Sequence, residues 1–172
     1  MLVLNCTKKL AKRLSFEFAE NPGESTNKLG PWTANSFNIG RFPMIILTND
    51  KTLLTTVIPL KETRTFHDRF LMSLELLFQS IALSSAEILS ELQEMSEMQF
   101  TTRTSRSVLG SMNDFVFHAR VAINQESDLS LPALSFELSS IPCSPLKYGY
   151  PREAALDLLA PPPSRMLRIH SS

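Results

Sequence analysis

The chain has 172 residues, a formal net charge of zero, an apolar fraction of 43% and a charged fraction of 20%. These values are typical of a globular protein and argue against general binding to nucleic acid or to an anionic membrane surface. No apolar run approaches the roughly 20 residues that span a bilayer, and the first residues do not follow the pattern of a secretion signal. We therefore expect a cytoplasmic protein without a membrane partner, in which Cys6 and Cys143 are free thiols.

The first 60 residues predict a strand, a helix and then a small sheet. The apolar run at 2–5 is typical of a short buried strand, and Cys6 or Thr7 can cap a helix that runs to about Phe18. Short polar connections separate the next three apolar or β-branched runs, which predicts an antiparallel meander. These three runs are residues 33–39, 44–48 and 53–60.

The middle of the chain predicts mainly helices. Apolar residues with a 3.6-residue period predict a helix over 63–81, and Ser84 with Glu87 is a capping-box pattern that begins a second helix. We expect residues 100–103 to form a short strand and 107–121 a further helix. A stripe of four acidic residues should face solvent on the second helix, namely Glu87, Glu91, Glu94 and Glu97.

The fold class that follows is α+β, as a single domain with a small, mainly antiparallel sheet and packed helices. We expect residues 1–125 to form the core, with the 63–97 helix pair on one face of the sheet. Residues 126–159 should dock on it as an extension made of a strand at 133–138 and a short helix at 151–159. The tail at 160–172 offers no periodic apolar face and is predicted to be disordered.

Two strand-to-helix junctions are candidate anion sites. Unpaired N–H groups at a helix N-terminus attract anions, and a guanidinium group suits phosphate or carboxylate. Side by side, the two junctions would form one pocket, whereas the alternative is ordinary helix capping with solvated basic side chains. The candidate residues are Thr7, Lys8 and Lys9 at the first junction and Arg103, Arg106 and Ser107 at the second.

Polar residues continue inside the second of these helices. Gly110, Asn113 and Asp114 fall near the same helical face as Arg106, where they could contact a ligand. The alternative is that Asp114 pairs with a basic residue such as Arg106 while Gly110 permits tight packing. The sequence contains no glycine-rich phosphate loop and no His or Cys spacing typical of a metal site, so we expect neither a cofactor nor a metal.

Two of these segments carry a resemblance to a known family. Cys-Thr-Lys-Lys-Leu at 6–10 and Arg-Ser-Val-Leu-Gly-Ser-Met-Asn-Asp-Phe at 106–115 resemble the motifs of a small bacterial family of unknown function. The resemblance covers about residues 1–125. It implies a bacterial origin and no assigned activity.

The sequence favours a non-enzymatic binding module whose partner is anionic, either a phosphate-bearing small molecule or a nucleic acid. One alternative is an enzyme acting on a phosphate-containing substrate, with Arg103 and Arg106 stabilising charge and Asp114 as the base. The other is a protein-interaction module of a small operon-encoded complex, which would use the apolar and acidic helix pair.

Overall fold

The structure, a computed structural model, describes residues 1–160; residues 161–172, and with them nearly all of the predicted disordered tail, lie outside the described part. Residues 1–160 contain five strands and six α-helices. They are β1 (Leu2–Cys6), α1 (Lys8–Ala11), β2 (Trp32–Ile39), β3 (Phe42–Asn49), β4 (Thr55–Pro59), α2 (Thr63–Ser80), α3 (Ser85–Glu94), β5 (Met98–Thr101), α4 (Arg106–Gln125), α5 (Leu131–Leu138) and α6 (Pro151–Leu159).

The strands form one mixed sheet in the order β4-β3-β2-β1-β5. The predicted meander is confirmed, because β2, β3 and β4 pair antiparallel. The sheet as a whole is mixed, since β1 is parallel to both of its neighbours, β2 and β5, so the expected antiparallel pairing holds for β2–β4 only. Parallel neighbours need a crossover connection, and α1 with its following loop connects β1 to β2 in this way. The α2–α3 pair instead leads from β4, at one edge of the sheet, to β5 at the other. The α+β class and the single domain are confirmed.

Helices cover the sheet on both faces. Side chains of α1, α2, α3 and α6 share one apolar core with β1, β2 and β3, and side chains of α4 and α5 share the other with β2, β3 and β4. Strand β3 supplies Ile45 and Leu47 to the first core and Met44 and Ile46 to the second. Its continuous apolar run follows from this burial on both faces.

Helix α1 is much shorter than the sequence predicts. Thr7 caps it, as its Oγ1 accepts a hydrogen bond from the Leu10 N–H group at 3.3 Å, but the helix ends at Ala11 instead of near Phe18. The chain then extends so that the Phe16 ring stacks on the Phe100 ring, with centroids 3.9 Å apart. Phe18 forms a parallel bridge with Phe100. Burial of these rings beside β5 outweighs the local helical pattern.

The predicted strand at 133–138 is wrong, because these residues belong to helix α5. Ser130 caps this helix through a bond from the Ala133 N–H group at 3.2 Å. Leu134 and Leu138, four residues apart, are buried in the core that α5 shares with α4, while Phe136 packs against the opposite core. Leu134, the partly buried Phe136 and Leu138 alternate in sequence as the inward residues of a strand do, because this helix packs between two cores and contacts both.

The acidic stripe on α3 is only partly exposed. Ser84 and Glu87 form the predicted capping box, with bonds of 3.2 and 2.8 Å. Glu91 contradicts the expectation of a solvated face, because only 1% of it is exposed. Its carboxylate accepts bonds from the Lys28 and Leu29 N–H groups at 2.9 and 3.1 Å, and a third from the Asn27 amide. Glu91 thereby fixes the loop that leads into β2.

Candidate ligand-binding cavity

An open cavity of about 520 Å³ lies between one side of α4 and the segment that follows α5. Helix α4 supplies most of the polar groups, and the other wall is largely apolar. The α4 wall consists of Arg106, Ser107, Gly110, Ser111, Asp114, Phe115 and His118, and the opposite wall of Ile141, Pro142, Cys143, Ser144, Pro145 and Tyr148.

The polar wall follows from the periodicity of α4. Residues three or four apart lie on one side of a helix, so Ser107, Ser111, Asp114 and His118 line up beside the buried stripe that packs on the sheet. Ser105 caps the helix by accepting a bond from the Val108 N–H group at 3.4 Å. The preceding N–H groups of the first turn have no partner within the helix itself, and they carry the positive end of a 20-residue helix dipole.

Gly110 leaves the middle of this wall bare. A Cβ atom at this position would meet no atom within 4 Å outside the helix's own backbone. Tight helix packing therefore does not explain the glycine, and that alternative from the sequence is wrong. A glycine inside a helix lowers the stability of the fold by roughly 0.5–1 kcal/mol relative to alanine. No close packing at Gly110 compensates for this loss.

The opposite wall is a tight turn closed by backbone bonds. The Tyr148 N–H group donates to the Cys143 carbonyl at 2.9 Å, and the Cys143 N–H group donates to the Gly149 carbonyl at 3.1 Å. Lys147 and Tyr148 both take left-handed backbone angles, with φ of 53° and 61°. Such angles strain a residue other than glycine. The turn holds the Tyr148 side chain at the cavity with 74% of it exposed.

Cys143 in this wall is a protonated thiol at neutral pH. Its Sγ donates to the Ile141 carbonyl at 3.2 Å. Burial, and then the negative charge of Asp114, raise the pKa of Cys143. A reactive cysteine needs a lowered pKa, so the presence of Cys143, Asp114 and His118 around one cavity does not make an activated nucleophile.

Three of the eight predicted site residues come together in the cavity, namely Arg106, Ser107 and Asp114. Asn113 is exposed on α4 but does not line the cavity. The Arg103 guanidinium donates to the Glu20 carbonyl and is also outside the lining.

The first junction is separate from this cavity. Thr7 donates to the Asn35 side chain at 2.7 Å, Lys9 donates to the Ser36 carbonyl at 3.3 Å, and Lys8 is exposed. None of the three lines the cavity. The two junctions do follow neighbouring parallel strands, which are β1 and β5.

The alternative pairing of Arg106 with Asp114 does not occur. Ion pairs within residues 1–160 join the Met1 amino group to Glu94 and Arg64 to Glu62. Arg106 and Asp114 are eight residues apart on one helix, which separates their Cα atoms by about 12 Å along its axis. Each charge therefore faces the cavity without the other as a partner.

Within residues 1–160, no group of three or more His, Cys, Asp or Glu side chains could hold a metal ion. Among the same residues, no helix is both long and apolar enough to cross a membrane.

The fold and the site together define an α+β protein with a helix-walled cavity of ligand size. Residues 3–154 match the family described as Domain of unknown function (DUF6933), and the chain belongs to this family. Membership of an uncharacterised family is therefore confirmed, and the match continues past residue 125 into α5 and α6. Comparison with curated proteins gave no match, and comparison with solved structures gave none.

The sequence does not predict the cavity wall opposite α4. Residues 141–148 carry no recognisable binding motif, and His118 has no partner in the sequence at a spacing typical of a metal site. The one available signal was the Ser-Pro-Leu-Lys-Tyr-Gly run at 144–149, which indicates a turn but not which element it faces.

Proposed function

We propose that this protein binds a small phosphate-bearing molecule in the cavity beside α4 and does not act on it chemically. The observation that supports this most strongly is the position of Arg106. It is the first residue of a 20-residue helix, and it lines the cavity next to Ser107. A guanidinium group, a hydroxyl group and unpaired helix N–H groups are three kinds of donor that suit phosphate.

The dimensions of the cavity support a small molecule as the partner. Its volume of about 520 Å³ falls within the roughly 300–1,000 Å³ of small-molecule sites in proteins. Gly110 adds support, since the bare backbone there gives a ligand room to approach the helix closely. The zero net charge of the chain counts against a nucleic acid as the partner.

The enzyme hypothesis has less support. It needs Arg103 and Arg106 on one substrate, but only Arg106 lines the cavity. The raised pKa of Cys143 also gives no activated nucleophile beside Asp114. We therefore favour binding over catalysis.

The test compares two arginine variants of α4. Arg106→Ala removes the proposed phosphate contact, whereas Arg120→Ala removes an exposed arginine on the same helix that lies outside the cavity. Thermal melts would be recorded with increasing inorganic phosphate and, in parallel, with sodium chloride at matched ionic strength.

A ligand that binds only the folded state stabilises it by RT ln(1 + [L]/Kd), which is about 1.4 kcal/mol at ten times the dissociation constant. We expect a phosphate-specific rise in melting temperature for the wild type and for Arg120→Ala, and none for Arg106→Ala. Equal shifts with phosphate and chloride in all three proteins would refute the proposal.

A further inference from the structure

The solvent-facing side of the α2–α3 pair carries apolar side chains that the two cores do not use. Met72 and Leu76 on α2 are 65% and 48% exposed, and Leu89 on α3 is 58% exposed. None of the three belongs to either apolar core. A helix at the surface of a globular protein normally places polar residues on this side. An exposed apolar patch with polar residues at its border is typical of an interaction site.

A groove of about 360 Å³ between α2 and α3 connects these side chains. Met72 is three residues from Glu75, and Leu76 is three residues from Gln79, spacings that place all four on one side of α2. Glu75 and Gln79 line the groove from this helix. The α3 wall consists of Ser85, Ile88, Leu89 and Leu92. The three exposed apolar side chains therefore border a single groove.

Every charged side chain in this part of the chain is negative. Residues 70–102 contain five glutamates and no lysine, arginine or histidine, although the whole chain has a net charge of zero. Glu75 lines the groove and is exposed, and the exposed Asp68 lies two turns earlier on the same side of α2. Glu91 is buried, and Glu94 pairs with the N-terminal amino group at 3.8 Å. The α2 side of the groove thus has an acidic border.

We propose that the α2–α3 groove binds a basic amphipathic helix of a partner protein. A helix that lays its apolar side into a groove is a recurrent mode of protein recognition. Its apolar side would cover Met72, Leu76 and Leu89, and its lysine or arginine residues would face Glu75 and Asp68. Helix α3 has 10 residues and is about 15 Å long, so three turns of a partner helix match the groove.

The acidic border disfavours two other occupants. An anionic membrane surface would be repelled by it, and a second copy in a symmetric dimer would bring the same negative charges to the contact. The proposal does not depend on the phosphate site. Helices α2 and α3 pack on one face of the sheet, and α4 packs on the opposite face.

The test is fluorescence anisotropy of a labelled peptide titrated with the full chain. The probe has about 14 residues, all leucine or lysine, and its leucines recur with the period of a helix. One comparison peptide has the same composition in an order that leaves no apolar side, and the other has glutamate in place of lysine. We expect the ordered basic peptide to bind at least about 10-fold more tightly than either, because apolar contact and charge both contribute.

Two variants locate the binding on the groove. Leu89→Gln removes an exposed leucine, and Glu75→Lys reverses the charge while keeping the apolar side chains. Each should weaken binding of the ordered basic peptide about 5-fold or more. Leu158→Gln, which removes an exposed leucine on α6, and Glu24→Lys, which reverses an exposed charge elsewhere, are the matched controls and should bind like the wild type.

Several results would overturn the proposal. Equal affinity for the ordered and the scrambled basic peptide would show general electrostatic attraction only. Absence of binding, or wild-type affinity in both Leu89→Gln and Glu75→Lys, would show that the groove does not take such a helix. Sedimentation velocity tests the remaining occupant: a wild-type dimer that Leu89→Gln dissociates would assign the groove to a second copy, whereas monomers in both proteins agree with the proposal.

Discussion

Ser139, the residue that caps the C-terminus of α5, forms two hydrogen bonds with the backbone of Thr55 on β4. Its Oγ accepts from the Thr55 N–H group at 3.1 Å and donates to the Thr55 carbonyl at 3.0 Å. One turn earlier, the Ser135 Oγ accepts from the Val57 N–H group at 3.1 Å. The next residue with the same orientation on β4 is Pro59, which has no N–H group to satisfy. A helix and a proline thus close the outer edge of the sheet, which would otherwise be open to pairing with another chain.

Replacing both serines by alanine should destabilise the protein strongly. Each buried N–H group left without a partner costs about 1–3 kcal/mol, and the outer edge of β4 would also be exposed to association. Urea denaturation should show the loss in Ser135→Ala/Ser139→Ala. Ser140→Ala is the matched control, because the Ser140 hydroxyl, just after α5, donates to the Phe136 carbonyl on that helix and not to β4. Equal stability of the double variant and this control would show that the edge contacts contribute little.

Removing everything after residue 125 should leave a protein that is insoluble or molten. The cut deletes α5 and α6, whose Leu134, Leu138, Ala155 and Leu159 are buried in the two cores. Burying a leucine side chain stabilises a fold by roughly 1.5–3 kcal/mol. We expect the 1–125 fragment to bind a hydrophobic dye and to lose its near-UV circular dichroism, while a 1–160 fragment behaves like the full chain. A folded, monomeric 1–125 fragment would show that α5 and α6 form an independent appendage.

Gly110→Ala should stabilise the protein, in contrast to most substitutions of glycine. The position has a helical backbone and open space for a methyl group, so the free energy of unfolding should rise by about 0.5–1 kcal/mol. Gly110→Phe should keep the fold and fill the cavity, which would abolish the phosphate-dependent rise in melting temperature. A loss of stability in Gly110→Ala, measured by urea titration, would show that the space at this position is not open. Phosphate binding by Gly110→Phe would show that phosphate does not bind in this cavity.

The stability of the protein should fall in alkaline solution because of Cys6. Burial raises the pKa of Cys6 from 9.0 to about 12, so the unfolded chain loses this proton at a lower pH than the folded protein does. Between these two values, the free energy of unfolding should fall by about 1.4 kcal/mol per pH unit through this group.

Cys6→Ala isolates this effect from the lysines and tyrosines that titrate in the same range. Its unfolding free energy should be offset from the wild type by a constant amount up to about pH 9.0 and then decline less steeply. Urea denaturation at a series of pH values would measure both slopes. Parallel slopes in the two proteins would show that Cys6 does not stay protonated in the folded state.

The sequence predicts those helices and strands that have a long apolar periodicity or that depend on interactions between residues close in sequence. The meander, α2, α4, α6 and the Ser84 capping box all follow from periodicity or from side chains close in sequence. Helix α5 does not, because its serines are explained only by β4, which lies some 80 residues earlier in the chain. The early end of α1 is also a tertiary effect, since Phe16 finds its stacking partner on β5.

The candidate site also has one part that the sequence predicts and one part that it does not. Arg106, Ser107 and Asp114 share one helix, so the geometry of a helix is enough to group them from the sequence. The wall at 141–148 depends on how the chain leaves α5 and on left-handed angles at Lys147 and Tyr148, two residues that do not favour them. No local pattern specifies that turn or places it against α4.

The most direct test of the central claim is a phosphate titration followed residue by residue in amide NMR spectra. We expect the amide signals of Arg106, Ser107 and Gly110 to shift most and to saturate with a common dissociation constant, because phosphate binds at the first turns of α4. Arg106→Ala should abolish these shifts. Small shifts spread over the whole surface, or saturable shifts confined to Thr7–Lys9 at the other junction, would contradict the assignment of this cavity as the binding site.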